Sequence, residues 1–149
     1  YEIMSGDWSS DVCSSDLYDF VSQFNGAILV TTETIFTKII NREIPATIVY
    51  EDNDTLAFKD INPQAPFHVL IIPKKAIATI NDIIEQDQHI IGKLYCVAAH
   101  LAKEHGFDQS GYRVVMNCND DGGQTVYHIH LHMLAGKAMG WPPYADKMK

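Results

Sequence analysis

"VYHIHLHML", residues 126–134, places His128, His130 and His132 at every second position between apolar residues. A period of two is that of a β-strand, in which successive side chains point to opposite faces. The stretch therefore predicts a strand with one apolar face and one face of three imidazoles. Burying that face as plain core would leave ring nitrogens unpaired at about 1–3 kcal/mol each, which argues against a purely structural role.

The same strand geometry argues against a metal ion held by all three rings. The Cβ atoms of His128 and His132 would lie about 13 Å apart, at roughly 3.3 Å per residue. Zinc holds nitrogen ligands only about 2.0–2.1 Å away. A pair such as His128 and His130 can still share a metal with a group from elsewhere, but we expect no dedicated metal site and no cofactor.

A glycine-rich segment, "NCNDDGGQT" at residues 117–125, comes just before the histidines. Gly122 and Gly123 allow backbone N–H groups to approach an anion closely, while Thr125 adds a hydroxyl and Gln124 an amide. A Gly-Gly pair alone is more typical of an ordinary hairpin loop. Next to the imidazoles, it favours a phosphate site in which one histidine attacks phosphorus and another handles the leaving group's proton.

Periodicity and turn residues outline the remaining elements. Thr34 is placed to cap a short helix that ends before Pro45, and a longer helix is predicted over about 86–104. The buried stripe of that longer helix is predicted to be Ile90, Ile91, Leu94, Val97, Ala98, Leu101 and Ala102. Five strands are predicted: "TIVY" (47–50), "TLAFKDI" (55–61), "HVLIIP" (68–73), "YRVVMN" (112–117) and the histidine stretch. Hairpin-like links favour an α+β fold with a mainly antiparallel sheet.

Residues 1–33 are expected to lie outside the domain. "DWSSDVCSSDL", residues 7–17, resembles the translation of a sequencing adapter. Residues 18–33 are genuine extension, out-of-place sequence or upstream readthrough. The alternative is a real disordered arm. The domain is expected to span residues 34–149, with a C-terminal tail from about residue 137.

Charge and cysteine content bound the class of protein. Without residues 1–32 the formal charge changes from −8 to −3, with 14 acidic residues against 11 basic ones. Such a domain has no electrostatic basis for binding a nucleic acid polymer, whereas a mononucleotide is compatible. Cys96 and Cys118 form neither a C-x-x-C pair nor a disulfide framework. With no secretory signal and no 18-residue apolar run, we expect a cytoplasmic protein that does not contact membranes.

Several of these motifs together resemble a known family. The stretch His128-Ile-His-Leu-His-Met-Leu134 has the His-x-His-x-His-x-x form of the histidine-triad (HIT) superfamily of nucleotide hydrolases and transferases. The resemblance is to the Hint branch, nearest its bacterial purine nucleoside phosphoramidases, and runs from about Thr34 to the end. It rests also on "TIFTKIINREIPA" (34–46), "FKDINPQAPFHVLIIPK" (58–74), "GGQTVYHIHLHMLAG" (122–136) and "WPP" (141–143).

The resemblance implies both a fold and an activity. The fold is a five-stranded, mainly antiparallel sheet with two helices, and two subunits join into a ten-stranded sheet. A homodimer of that kind would cover an otherwise unpaired edge strand. The activity is hydrolysis of purine nucleoside 5′-phosphoramidates of the adenosine 5′-monophosphoramidate type, with aminoacyl-adenylates as a further substrate class. It proceeds through a nucleotidyl-histidine intermediate.

The resemblance also implies catalytic roles for individual residues. His130 attacks the α-phosphorus, His128 orients the His130 ring, and His132 lies toward the phosphate and the leaving group. His68 is a fourth histidine of the site, and Thr125 donates to the phosphoramidate nitrogen or to a phosphate oxygen. The nucleophile must be neutral, with its tautomer fixed by a backbone carbonyl or a neighbouring ring.

Substrate-binding residues are implied in the same way. The Gly123 N–H and the Asn117 amide stabilise negative charge, Asp60 accepts the ribose hydroxyls, and Trp141 belongs to a C-terminal segment that shapes the site. The purine slot is implied to consist of Ile35, Phe36, Ile39, Phe58 and Ile61. By pattern alone, these apolar residues would be ordinary core.

Three other functions compete with the phosphoramidase reading. One is a dinucleoside polyphosphate hydrolase of the same superfamily. Another is a nucleotidylyltransferase, but that group has Gln in place of the third histidine, so His132 argues against it. The third is a non-catalytic regulator that binds a nucleotide in a retained pocket.

Overall fold

A computed structural model describes residues 33–143. The expectations for residues 1–32, including the adapter-like stretch, and for the tail after residue 143 lie outside this range. The elements are α1 (Ile35–Ile40), β1 (Ile48–Glu51), β2 (Thr55–Lys59), β3 (Phe67–Pro73), α2 (Gln88–Glu104), β4 (Tyr112–Val115) and β5 (Leu131–Ala135). Two short 3-10 turns, Ile80–Asp82 and Glu85–Asp87, precede α2. Among the helices in residues 33–143, none is both long and apolar enough to span a bilayer.

The strands form one five-stranded sheet in the order β1-β2-β3-β5-β4, and every neighbouring pair is antiparallel. The prediction of a five-stranded antiparallel sheet with two helices is therefore confirmed. The last strand enters between β3 and β4, where His132 lies opposite Leu70 on one side and Val115 on the other. A histidine on this strand is thus carried by backbone that is hydrogen-bonded along both edges.

The two helices cover opposite faces of the sheet because side chains alternate along β2 and β3. On one face, α1 packs with a cluster formed by Phe36, Ile39, Leu56, Phe58, Leu70 and Ile72. On the other, α2 packs with Ala57, Val69, Ile71, Leu131 and Met133. His132 lies between Leu131 and Met133 in sequence, so its side chain is on the α1 face.

Local sequence signals explain both helices. Thr34 caps α1 through its side chain, which accepts the N–H of Thr37 in a capping box. The predicted stripe of α2 is buried, except that Ile91 is only half-buried. The helix itself begins at Gln88, because residues Glu85–Asp87 form a 3-10 turn before it.

The prediction that residues 126–134 form one continuous strand is wrong. The strand β5 begins only at Leu131, and residues 126–130 lie outside the ladder. The His128 carbonyl accepts from the His130 ring, while the Ile129 N–H donates to the carbonyl of Ile77. The His128 carbonyl and the Ile129 N–H therefore make hydrogen bonds that do not belong to the sheet. Polar side chains can compete with strand pairing for backbone partners in this way. Only His132 keeps the alternation of a strand.

The turn between β1 and β2 is organised by Asp52. Its Oδ1 accepts the N–H of Asp54, the N–H of Thr55 and the Thr55 hydroxyl, at 2.8–2.9 Å. Lys93 on α2 contacts both Asp52 and Asp54. Burial raises the pKa of Asp52, but these donors outweigh burial and hold the pKa well below its ordinary value. The carboxylate thus ties the turn to the helix.

We predict that Asp52→Ala lowers the free energy of unfolding by about 2 kcal/mol, because it leaves the N–H groups of Asp54 and Thr55 without their acceptor. Urea denaturation at fixed protein concentration measures the change. Asp54→Ala is the matched control, since it also removes a carboxylate from Lys93 but caps nothing. It should cost less than about 1 kcal/mol. Equal losses in the two variants would contradict the capping role.

Candidate active site

The three histidines of the triad lie on the α1 face of the sheet, and Phe36 packs against two of them. His128 is 1% exposed and His130 is 5% exposed. The Phe36 ring meets both edge-on, with ring centroids 6.0 Å from His128 and 5.1 Å from His130. His132 is half-buried, with its ring centroid 4.9 Å from that of His130. The predicted cluster of imidazoles is therefore present, although its members come from a bend and a strand.

The tautomer of His130 follows from its hydrogen bond. Its Nδ1 lies 2.9 Å from the carbonyl oxygen of His128. A carbonyl only accepts, so Nδ1 carries the proton and Nε2 keeps its lone pair. Burial lowers the pKa of His130, and the opposing effects of the His128 carbonyl and the Asp60 carboxylate do not cancel it. At neutral pH the ring is neutral and can act as a nucleophile through Nε2.

His128 joins the bend to the end of β3. Its Nε2 donates to the carbonyl oxygen of Pro73 at 2.7 Å. The other ring nitrogen, Nδ1, has no hydrogen-bond partner among the described residues. Burial is the main reason that the pKa of His128 is lowered. The neutral ring therefore fixes the backbone whose carbonyl in turn orients His130.

A second pair of histidines is also ordered by a backbone group. Nδ1 of His68 accepts the N–H of Gln64 at 3.1 Å, so the proton of His68 is on Nε2. That Nε2 lies 2.9 Å from Nδ1 of His132 and donates to it. A neutral His132 must then carry its own proton on Nε2. The pair leaves one N–H of His132 free to serve as a donor.

Charge and burial both act on this pair. Burial lowers the pKa of His68, opposed by Asp60, whose Oδ2 lies 3.4 Å from Nε2 of His68. Burial, together with the positive charge that His130 and His68 would carry when protonated, lowers the pKa of His132 to about 4. Both rings are therefore neutral at pH 7 in the free protein.

Ligand atoms of Asp60, His68 and His132 lie within 4.8 Å of one another, a spacing at which a metal ion could be held. Metal binding at Nε2 of His68 would need a lone pair there. The N–H of Gln64 keeps that lone pair on Nδ1 instead. The donor set thus fits a hydrogen-bonded chain better than a metal site, and the absence of a structural metal stays a prediction.

In the glycine turn, the backbone N–H of Gly123 makes a different hydrogen bond from the one expected. The N–H of Gly123, expected to face a phosphate, donates to the carbonyl oxygen of Asp120 at 2.8 Å. Gly123 has φ +74, and a Cβ at Gly122 would lie 2.3 Å from the carbonyl oxygen of Cys118. Both glycines are thus explained by the turn itself, whose tight closure uses the N–H internally. Thr125 is exposed and Asn117 is half-buried.

Asp60 follows β2 and is half-buried. Its backbone N–H donates to the carbonyl oxygen of His68 at 3.0 Å, and its Oδ1 accepts the N–H of Asn62 at 2.8 Å. These bonds fix the carboxylate next to the His68 and His132 pair. A ribose-binding carboxylate here would therefore adjoin the histidines.

The residues assigned to the purine slot divide into two groups. Phe36, Ile39 and Phe58 are at most 7% exposed and pack in the α1 core cluster. Ile35 is 43% exposed and Ile61 is 87% exposed. These two residues offer the larger exposed apolar surface, and the purine slot itself stays a prediction. Trp141, in the C-terminal segment, is 83% exposed.

Sequence reasoning missed the groups that orient the histidines. Gln64 acts through its N–H and Pro73 through its carbonyl, so neither side chain gives a signal. Gln124 was recognised only as an amide near the turn. It is 5% exposed, and a buried glutamine can be recognised only when its partners are known.

Comparison with known proteins gives results consistent with this site. Residues 41–139 match a family model described as the HIT domain. The purine nucleoside phosphoramidase of Escherichia coli (strain K12) is 52% identical over 115 residues, covering 77% of this chain and 96% of the relative. A 14 kDa zinc-binding protein of Zea mays is 53% identical over 112 residues, covering 74% and 87%.

Solved structures are also similar. A HIT family hydrolase from Legionella pneumophila Philadelphia 1 has 54% identity and a TM-score of 0.73, covering 74% of this chain and 99% of that one. A histidine triad protein from Clostridium difficile has 51% identity and a TM-score of 0.69, covering 71% and 92%. With its sheet, its histidines and these matches in agreement, the chain belongs to the HIT domain family.

Proposed function

We propose that this protein hydrolyses purine nucleoside 5′-phosphoramidates of the adenosine 5′-monophosphoramidate type. We propose that it also acts on aminoacyl-adenylates, in which the phosphorus is bonded to an acyl oxygen instead of a nitrogen. The observation that carries the proposal is the neutral His130, whose Nδ1–H is held by the His128 carbonyl while Nε2 keeps a lone pair. The E. coli relative, at 52% identity, is a purine nucleoside phosphoramidase. The reaction class is therefore nucleotidyl transfer to a histidine and then to water.

In the first step, Nε2 of His130 attacks the α-phosphorus and the P–N bond breaks. The amine leaves well only after it takes up a proton. Binding of the anionic substrate raises the pKa of His132, so the His68 and His132 pair takes up one proton and passes it to the nitrogen. The nucleotidyl-imidazolium formed on His130 keeps its Nδ1–H bond to the His128 carbonyl, which stabilises the positive charge.

In the second step, water attacks the same phosphorus and the bond to Nε2 of His130 breaks. The proton of the water passes to the now neutral His132, and His130 recovers its lone pair. The nucleoside monophosphate leaves, and the extra proton of the histidine pair is released. The protein is thereby returned to its starting state.

Substrate binding uses the groups around the histidines. Asp60 accepts the ribose hydroxyls, and Trp141 belongs to the segment that shapes the site. The purine lies in a slot whose more exposed members are Ile35 and Ile61. The buried members of the slot are Phe36, Ile39 and Phe58. Thr125 and Asn117 bind the phosphoramidate group. A contribution from the Gly123 N–H would require it to exchange its bond to Asp120 for one to phosphate.

The proposed assembly is a homodimer. The strands β1 and β4 form the two edges of the described sheet, and within residues 33–143 no strand pairs with the outer side of either. Pairing of equivalent edges about a twofold axis would extend the five strands to ten and cover one edge in each subunit. This geometry supports a dimer built on strand pairing.

We predict that the purified full chain converts adenosine 5′-phosphoramidate to AMP and that His130→Ala reduces kcat by at least about 1,000-fold, since the attacking atom is lost. A continuous assay of the released ammonia measures kcat for both proteins. His89→Ala, on the exposed start of α2, is the matched control and should keep its activity.

Diadenosine polyphosphate serves as a parallel substrate. Its cleavage without turnover of the phosphoramidate would move the assignment to a dinucleoside polyphosphate hydrolase. A protein that binds AMP but cleaves neither compound would be a nucleotide-binding regulator. Full activity in His130→Ala would contradict the covalent mechanism.

We predict that the acidic limb of the kcat/KM profile lies below pH 6.5. The attacking His130 must be neutral, and burial lowers the pKa of His130 below its ordinary value. As the pH falls through that lowered pKa, the ring protonates and activity is lost. Phe36→Ala uncovers the His130 ring and should move the acidic limb to higher pH. Phe36→Leu keeps an apolar cover and should move the limb less. A limb unchanged in both variants would show that burial by Phe36 does not set this pKa.

A further inference from the structure

A buried glutamine lies between the glycine turn and the triad. The side chain of Gln124 makes three hydrogen bonds, and the chemistry of its partners fixes the orientation of the amide. Its Oε1 accepts the N–H of Asn119 at 3.0 Å. Its Nε2 donates to the carbonyl oxygens of Ala78 and Val126, at 2.7 and 3.0 Å. Both N–H groups of the amide are therefore occupied by acceptors from two different segments.

These bonds connect the loop to two backbone positions, Ala78 after β3 and Val126 just before the triad. Gln124 also donates its own N–H to the Asn119 carbonyl, so the loop from Asn119 to Gln124 is closed twice. Ala78 belongs to the segment after β3, where the neighbouring Ile77 accepts the N–H of Ile129. The same short segment thus holds the loop through Gln124 and the triad backbone through Ile129.

Gln124 adjoins the residues proposed to bind the phosphate and is remote in sequence from those proposed to bind the nucleoside. Thr125 follows it directly, and Gly123 precedes it. In contrast, Asp60, Ile35 and Ile61 belong to α1 and to the connection between β2 and β3, and none of them is hydrogen-bonded to Gln124. A change at Gln124 should therefore displace the phosphate-binding loop and leave the nucleoside-binding groups in place.

We propose that Gln124 is a positioning residue, which holds the phosphate-binding loop at a fixed place relative to His130. This inference rests on the proposed function, because it takes the phosphate to bind between that loop and His130. Gln124 touches no reacting atom, and its effect passes through Thr125. The loss of its amide should weaken binding of a phosphate group without weakening binding of a nucleoside.

The variant Gln124→Met tests this division. Methionine is unbranched and of similar length, so it can fill the same space while making none of the three hydrogen bonds. Gln124→Asn is the milder second variant, since it keeps an amide that is one methylene too short to reach all three partners. Gln109→Met is the matched control, because Gln109 is exposed and its side-chain nitrogen bonds only to Asp108.

The experiment measures the dissociation constants of AMP and of adenosine by calorimetry with the full chain and each variant. We predict that Gln124→Met weakens AMP binding about tenfold and changes adenosine binding less than about twofold, the loss expected for one misplaced hydrogen bond to a charged group. Gln109→Met should change neither constant. Equal weakening of AMP and adenosine, or unchanged AMP binding, would overturn the positioning role.

Circular dichroism shows which variants are folded. If Gln124→Met is unfolded, Gln124→Asn takes its place, with the same selective loss expected for AMP and the same outcomes counting against it. Turnover of adenosine 5′-phosphoramidate by the wild type is measured in parallel. A wild type that binds AMP but does not hydrolyse the phosphoramidate would overturn the proposed function and leave the role of Gln124 standing. A wild type that binds neither nucleotide nor nucleoside would contradict both.

Discussion

The hydrogen bond from Nδ1 of His130 to the carbonyl oxygen of His128 constrains much of the surrounding structure. It uses a carbonyl that lies outside the strand ladder, because β5 begins only at Leu131. It also needs that carbonyl to be held still, and the bond from the His128 ring to Pro73 does this. The orientation of the proposed nucleophile therefore depends on the end of β3, a segment more than fifty residues away in sequence.

The two faces of the sheet have different tasks. The α2 face carries the larger apolar cluster, including Leu94, Leu101 and Leu131, which are fully buried. The α1 face mixes apolar packing with imidazoles, and Phe36 belongs to both. Because burial disfavours the charged form of histidine, this packing keeps the rings neutral at physiological pH. Packing and reactivity are therefore coupled on one face and separate on the other.

Single backbone groups decide between chemical roles in this site. The side chains of Asp60, His68 and His132 would by themselves suit either a metal ion or a proton relay. The N–H of Gln64 assigns the proton of His68 to Nε2, and the relay follows from that assignment. A single backbone group also matters in the glycine turn, where the N–H of Gly123 donates to the Asp120 carbonyl and closes the turn.

The sequence alone determined the five strands, the antiparallel sheet, the buried stripe of α2 and the grouping of the triad histidines. The strands and the stripe repeat along the chain with a period of two or 3.6, and periodicity reports which face a side chain occupies. The hairpin-like links between strands indicated the antiparallel arrangement. The start of β5 at Leu131, the partners of His128 and His68, and the burial of Gln124 were decided only by the tertiary structure. Each depends on a particular backbone donor or acceptor, such as the Pro73 carbonyl for His128 or the Gln64 N–H for His68. Every residue type except proline, which lacks only the N–H, carries the same backbone groups. A sequence therefore shows which side chains are available, whereas the folded chain decides which backbone atoms they meet.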